Sequence, residues 1–184
     1  MHPCKSPGFT LIEVLVAVLV LALGLVGGTA LQLTALRTRH QSALLSGAVQ
    51  LAAGMADKMR ANSVQMSRPD ADNPYLNLRY DVAADAEPAP PAQLCFAAQP
   101  CDSAQLAGAD IYELKQQLRK TLPGGRLVIC RDTKGLGWDC DSAPGAPIVI
   151  KLGWRGKNPD GTPLRLDPLQ DTPGVTVALA GGTI

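Results

Sequence analysis

Apolar residues are distributed very unevenly along this chain. Across residues 9–36 they run almost without interruption, and Glu13 is the one charged residue in the stretch. A bilayer is crossed by about 20 apolar residues, so the run is long enough to span one and too long for an ordinary buried core helix. The pattern then changes. Leu44, Ala48, Leu51, Met55 and Met59 recur at spacings of three and four among more polar neighbours, which predicts a helix with one apolar stripe packed on a globular domain. No proline stands between Pro7 and Pro69. The two stretches therefore read as one helix over residues 9–64, ~85 Å long at the usual rise per residue. Gly24, Gly27 and Gly28 weaken its middle by about 1 kcal/mol each relative to alanine. Gly24 and Gly28 also have the small-xxx-small spacing of closely packed helices.

Residues 67–101 are rich in Pro, Ala and Asp and read as an irregular connection. A second helix is expected over residues 103–122, with Leu106, Leu114, Leu118 and Leu122 on one face and Asp110 capping the half after Gly108. Pro123-Gly124-Gly125 ends it. Strands are expected over residues 126–130 and 148–154. The second of these places Ile148, Ile150, Leu152 and Trp154 on one face and Lys151 on the other. Val175, Val177 and Leu179 alternate in a last strand. An antiparallel sheet packed on the long helix buries both apolar faces and makes the fold class α+β. The organisation is then an apolar helix half over 9–36, an amphipathic half over 37–66 and an α+β head over 67–184.

Side-chain charge is nearly balanced, 17 basic against 16 acidic, so no basic footprint points to nucleic acid. Arg119, Lys120 and Arg126 gather near the end of the second helix, but such a cluster is usually a solvated face. Of five cysteines, Cys4 precedes the apolar run, so it is not the lipid-modified cysteine that follows one. Cys95, Cys101, Cys130 and Cys140 make an even set that suggests two disulfides in an oxidising compartment. Three pairings are open, and the sequence-local one, Cys95 with Cys101 and Cys130 with Cys140, is favoured. Each short loop closed in this way is worth roughly 2–3 kcal/mol. Neither pair has zinc-knuckle spacing or a nearby histidine, so no metal and no cofactor is expected. A membrane-anchored periplasmic enzyme is the rival reading from another class. The sequence holds no G-x-S-x-G and no phosphate-binding glycine loop, and His2 and His40 are its two histidines. No catalytic site is expected.

Three readings compete for the N-terminus. A secretory signal, with Gly28-Thr29-Ala30 as cleavage site, has too long an apolar stretch and a carboxylate near its start. A plain anchor gives no reason for Glu13, which costs ~2–3 kcal/mol on insertion scales. The third reading accounts for the acid. Gly8-Phe9-Thr10-Leu11-Ile12-Glu13-Val14-Leu15 closely resembles the type III signal of prepilins. The resemblance implies that residues 1–8 are a leader removed by a membrane peptidase cutting between Gly8 and Phe9, and that Phe9 is then N-methylated. It also implies a pilin fold, with the apolar stretch retained. Cleavage creates an α-amine one helical turn before Glu13. With an ordinary pKa of ~8 the amine is mostly cationic and compensates Glu13, within the chain or from a neighbouring subunit during assembly. Lys5 and the initiator amine precede the span while Arg37 and Arg39 follow it, so loop charge gives no support for an exported C-terminus.

A second resemblance covers most of the chain in patches. Gly24-Leu25-Val26-Gly27, Leu31-Gln32, Ala35-Leu36-Arg37, Asp57-Lys58-Met59-Arg60-Ala61-Asn62, the second helix through Leu122-Pro123-Gly124-Gly125, and Gly153-Trp154-Arg155 look like the minor pilin family PilV, the type IV pilus modification proteins. Lys58 stands where arginine is expected. The resemblance implies a minor subunit that primes type IV pilus assembly, a fimbrial role in cell adhesion, and passage from the bacterial inner membrane, with the head in the periplasm, to the cell-surface filament. Implied partners are other minor pilins and the major pilin, the prepilin peptidase, the inner-membrane assembly platform and a large tip adhesin. A type II secretion pseudopilin shares the signal and the long helix.

Overall fold

The computed structural model describes residues 8–93, 95, 100–143, 145–155 and 172–179. Helix α1 spans Leu11–Ala61, followed by the single turn α2 (Ser63–Met66), a 3-10 turn at Asp70–Asp72, strand β1 (Leu78–Asp81), helix α3 (Ser103–Thr121) and strands β2 (Arg126–Arg131), β3 (Ile148–Gly153) and β4 (Val175–Ala178). Contacts divide the chain into two units, one ending at Ala43 and one starting at Leu44.

In the first unit, every residue from 8 to 43 whose side chain is described is exposed. An 18-residue window of α1 has a mean hydropathy of 2.6, with none of it buried. The helix is long and apolar enough to cross a membrane, and its described side chains before Leu44 are not buried by any described residue.

The second unit is an α+β domain. Its sheet is an antiparallel meander in the order β1-β2-β3-β4. The register sets the inward residues in two cross-strand rows: Leu78, Ile129, Ile150 and Val177 in one, Tyr80, Leu127, Leu152 and Val175 in the other. Against these rows pack Leu44, Ala48, Ala52, Met55, Ala56 and Met59 of α1 and Ala107, Leu114 and Leu118 of α3. The α1 stripe is therefore wider than its large residues suggest, because alanines let α1 approach the sheet.

The sequence-derived reading needs three corrections. First, α1 stops at Ala61, not near residue 64. Asn62 leaves helical geometry (φ −93°, ψ 60°), and its amide donates to the Tyr75 hydroxyl and the Ser103 carbonyl. Second, Asp110 does not cap α3. The N-cap is Asp102, whose carboxylate accepts from the backbone N–H groups of Ala104 and Gln105 while the Gln105 side chain accepts from the Asp102 N–H. This reciprocal capping box starts the helix at Ser103, the start expected from the sequence, with a different residue as its cap. The buried face then runs through Ala107, Asp110, Leu114 and Leu118, leaving Leu106 exposed. Third, residues 67–101 contain a strand: the two inward residues Leu78 and Tyr80 suffice for a four-residue edge.

The other face of the sheet is also covered. Val128, Cys130 and Val149 point away from the helices and pack with Trp138 in a second, smaller core. Gly153 is required there, since a Cβ would lie 2.7 Å from Cζ2 of Trp138. Gly124, at φ +55°, makes the turn from α3 into β2, a left-handed conformation that favours glycine.

Candidate functional site

The N-terminal motif sits at the start of α1. The Thr10 carbonyl accepts from the N–H groups of Glu13 and Val14 at 3.1 and 3.3 Å, so Phe9 lies just outside the helix and Glu13 in its first turn. A carboxylate there is favoured by the partial positive charge of the helix start. Phe9 is 84% exposed. The Glu13 carboxylate has no hydrogen-bond or ion-pair partner among the described residues. A Cβ built on Gly8 would meet nothing within 4 Å. No packing demand among the described residues explains a glycine at that position. Residues 1–7 lie outside the described residues, so of the expected leader only Gly8 is described.

Both cysteine pairs of the α+β domain are disulfide-bonded, Cys95 to Cys101 and Cys130 to Cys140, with Cα separations of 5.6 and 6.2 Å. The first closes the approach to α3, next to its N-cap Asp102. The second closes the segment that covers the outer face of the sheet.

Residues 57–62 join α1 to the rest of the domain. Lys58 Nζ lies 2.5 Å from Glu113 and 3.4 Å from the buried carboxylate of Asp110. Burial works against the Lys58 ammonium, but the Glu113 hydrogen bond and both carboxylate charges outweigh it and raise its pKa above the ordinary value. The Tyr75 hydroxyl donates to Asp110 at 2.8 Å. Burial first, then the neighbouring Asp110 carboxylate, pushes the Tyr75 phenol up, against the opposing hydrogen bond from Asn62. Asp110, Lys58, Tyr75 and Asn62 thus form one polar junction tying the end of α1 to α3. A shallow groove of about 200 Å³ lies beside it, floored by Leu51, Gly54, Met55 and Leu114. The geometry is that of a structural clamp.

The basic residues near the end of α3 do not form one strip. The Arg119 guanidinium donates to the Tyr80 hydroxyl on the helix side of the sheet. Arg126 stacks on Trp138 on the opposite side, 4.3 Å from the ring centroid. Among the described residues no group of three or more His, Cys, Asp or Glu side chains is placed to hold a metal.

Sequence reasoning missed the buried ion pair between Lys151 and Asp132, 2.6 Å apart at 0% and 2% side-chain exposure. Lys151 lies on the face opposite Ile150 and Leu152, as the alternation predicts, but that face is not solvated. Lys151 Nζ also donates to the carbonyls of Gly137 and Asp139. The Lys151 hydrogen bond, helped by the N–H groups of Gly135 and Lys134, lowers the Asp132 carboxyl to about 2 against the cost of burial. A charged residue amid apolar strand neighbours, eleven residues after Cys140, was the available signal.

An exposed apolar helix segment thus precedes an antiparallel α+β domain, and two family models match parts of this chain. Residues 4–29 match the prokaryotic N-terminal methylation motif, and residues 30–112 match the family model described as type IV pilin Tt1218. Together the two matches support a type IV pilin family member, a class of structural subunits rather than enzymes. No curated protein and no solved structure matches the chain.

Proposed function

We propose that this chain is a minor pilin of the PilV kind, a subunit that primes assembly of a type IV pilus and contributes to its adhesive tip. The observation that carries the reading is the apolar surface of α1, which is exposed throughout the first unit. Such a surface is stable only against lipid or against other apolar helices. A precursor in the inner membrane supplies the first environment and a filament core the second. In this reading the peptidase cuts between Gly8 and Phe9, the new amine on Phe9 is methylated, and the chain crosses the membrane once with its disulfide-bearing domain in the periplasm. The unhindered Gly8 supports cleavage there, since its lack of a side chain serves no contact within the fold.

Glu13 is the assembly residue. Its carboxylate has no partner among the described residues and lies one turn from the amine that cleavage creates, so a subunit entering the filament offers a charge pair to its neighbour. Transfer from membrane to filament then removes an uncompensated charge from hydrocarbon, worth a few kcal/mol. Other minor pilins, the major pilin, the assembly platform and a tip adhesin are the partners, alongside the peptidase.

N-terminal sequencing of protein from sheared filaments tests the reading. The expected first residue is N-methylated Phe9. Mature protein beginning at Met1, or lacking the whole apolar stretch, refutes it. Glu13→Ala is expected to leave cleavage intact while the subunit disappears from the filament fraction.

A further inference from the structure

On the side of the sheet away from the helices, the segment between Cys130 and Cys140 lies over β2 and β3. Trp138, 8% exposed, packs against Val128, Cys130 and Val149. Beneath this segment Lys151 stands in the middle of β3, completely buried. Its Nζ donates to Asp132 Oδ2 at 2.6 Å and to the carbonyls of Gly137 and Asp139 at 2.7 and 2.6 Å. All three acceptors belong to the covering segment. None comes from a helix or another strand. In the same strand Ile150 and Leu152 belong to the separate core facing α1 and α3, to which the covering segment contributes no residue.

We propose that the segment closed by Cys130 and Cys140 is a redox-sensitive cover. With the disulfide formed it is shut and Lys151 is inaccessible. With two thiols it opens, leaving the outer face of β2 and β3 to solvent while the helix-facing core stays folded. The asymmetry of the two faces is the reason. The helix side is a broad apolar core, which exists whether or not the cover is closed. The outer side is held by Trp138 with Arg126 stacked on it, by Lys151 with its three acceptors, and by the Thr176 hydroxyl donating to the Gly135 carbonyl. These are all contacts of the covering segment itself, and Lys151 and Asp132 both regain hydration when it lifts, so the cross-link keeps the segment from releasing them together. Closure proceeds by thiol–disulfide exchange. The thiols of Cys130 and Cys140 surrender two protons and two electrons to an incoming disulfide of a protein or small-molecule oxidant, which leaves as two thiols. The finished outer surface, including the exposed Leu136, is thereby completed only in an oxidising compartment. This device rests on the geometry of the α+β domain alone and is independent of the filament reading.

The test compares the full chain in detergent micelles with the double variant Cys130→Ala/Cys140→Ala, in which Cys95 and Cys101 are untouched. Both are pulsed with a water-soluble acetylating ester, and Lys151 acetylation is measured against exposed Lys120 by peptide mass spectrometry. Hydrogen exchange of the Ile129, Ile150 and Leu152 amides is followed in parallel. Opening of the cover is expected to raise Lys151 acetylation relative to Lys120 by about tenfold or more while these amides stay protected, as for a local opening. Lys151 as unreactive in the variant as in the oxidised chain overturns the proposal. So does loss of amide protection together with Lys151 exposure, because the disulfide then supports the whole domain and not a cover.

Discussion

Replacing Lys151 with methionine keeps most of the side-chain volume and removes the charge. The change leaves Asp132 with the N–H groups of Lys134 and Gly135 but no cation, and strips the Gly137 and Asp139 carbonyls of their donor. Removing one member of a buried pair strands the other, a loss of roughly 3–5 kcal/mol. The exposed pair of Arg60 and Asp57, 48% and 75% exposed, is the control; Arg60→Ala is expected to cost about 0.5 kcal/mol or less. Denaturant unfolding of the full chain in micelles, read by tryptophan fluorescence, measures both. The pH dependence has a definite sign. The Asp132 carboxyl titrates at about 2 in the folded chain against an ordinary 3.8, chiefly because of Lys151. A lowered folded pKa contributes stability that is present above the ordinary value and is lost as pH falls through the folded one. The interval is worth roughly 2 kcal/mol. The native chain should lose that amount between about pH 4 and pH 2. The variant lacks this loss, because its stranded carboxylate is relieved by protonation, so the gap between the two chains narrows on acidification. A penalty below about 1 kcal/mol, or a gap that does not change with pH, refutes the account of the pair.

Two further substitutions test the packing. Gly153→Ala drives a methyl into the Trp138 ring and should cost about 1–3 kcal/mol, with the change in tryptophan emission reporting disturbance of the outer core. Asp102→Ala removes the acceptor of two backbone N–H groups at the start of α3 and should cost about 1 kcal/mol, while Asp102→Asn or Asp102→Ser recovers most of it in the same unfolding assay. Equal losses for all three Asp102 variants would remove the cap from the argument.

Much of this molecule was legible without coordinates, because the signals concerned are local. The apolar run of residues 9–36, the single acid at Glu13 and the glycine before Phe9 depend on neither folding nor contacts, and they carry the reading of membrane insertion and maturation. The alternation in β3 and β4 is likewise a property of adjacent residues, and the register bears out its inward face. The Asp102–Gln105 capping box was equally local, since an Asp three residues before a Gln is visible in the chain. Asp110, two residues after Gly108, offers a rival cap of the same residue type, and the sequence does not rank the two.

Tertiary structure decided what depends on residues distant in sequence. Asp110 reads as a cap until α1 brings Lys58, and residues near β1 bring Tyr75, against it; a buried acid is then the centre of a junction. Lys151 reads as a solvent-facing strand residue until the segment from Asp132 to Asp139 folds back over it and supplies acceptors that no periodicity encodes. Arg119 and Arg126, seven residues apart, read as one basic cluster, yet the sheet passes between them. Sequence alone could name which residues are apolar and how often they recur. Which charged groups are buried, and with whom, was settled by the long-range pairing of strands and helices, because the free energy of a buried charge is set by its partners and not by its neighbours along the chain.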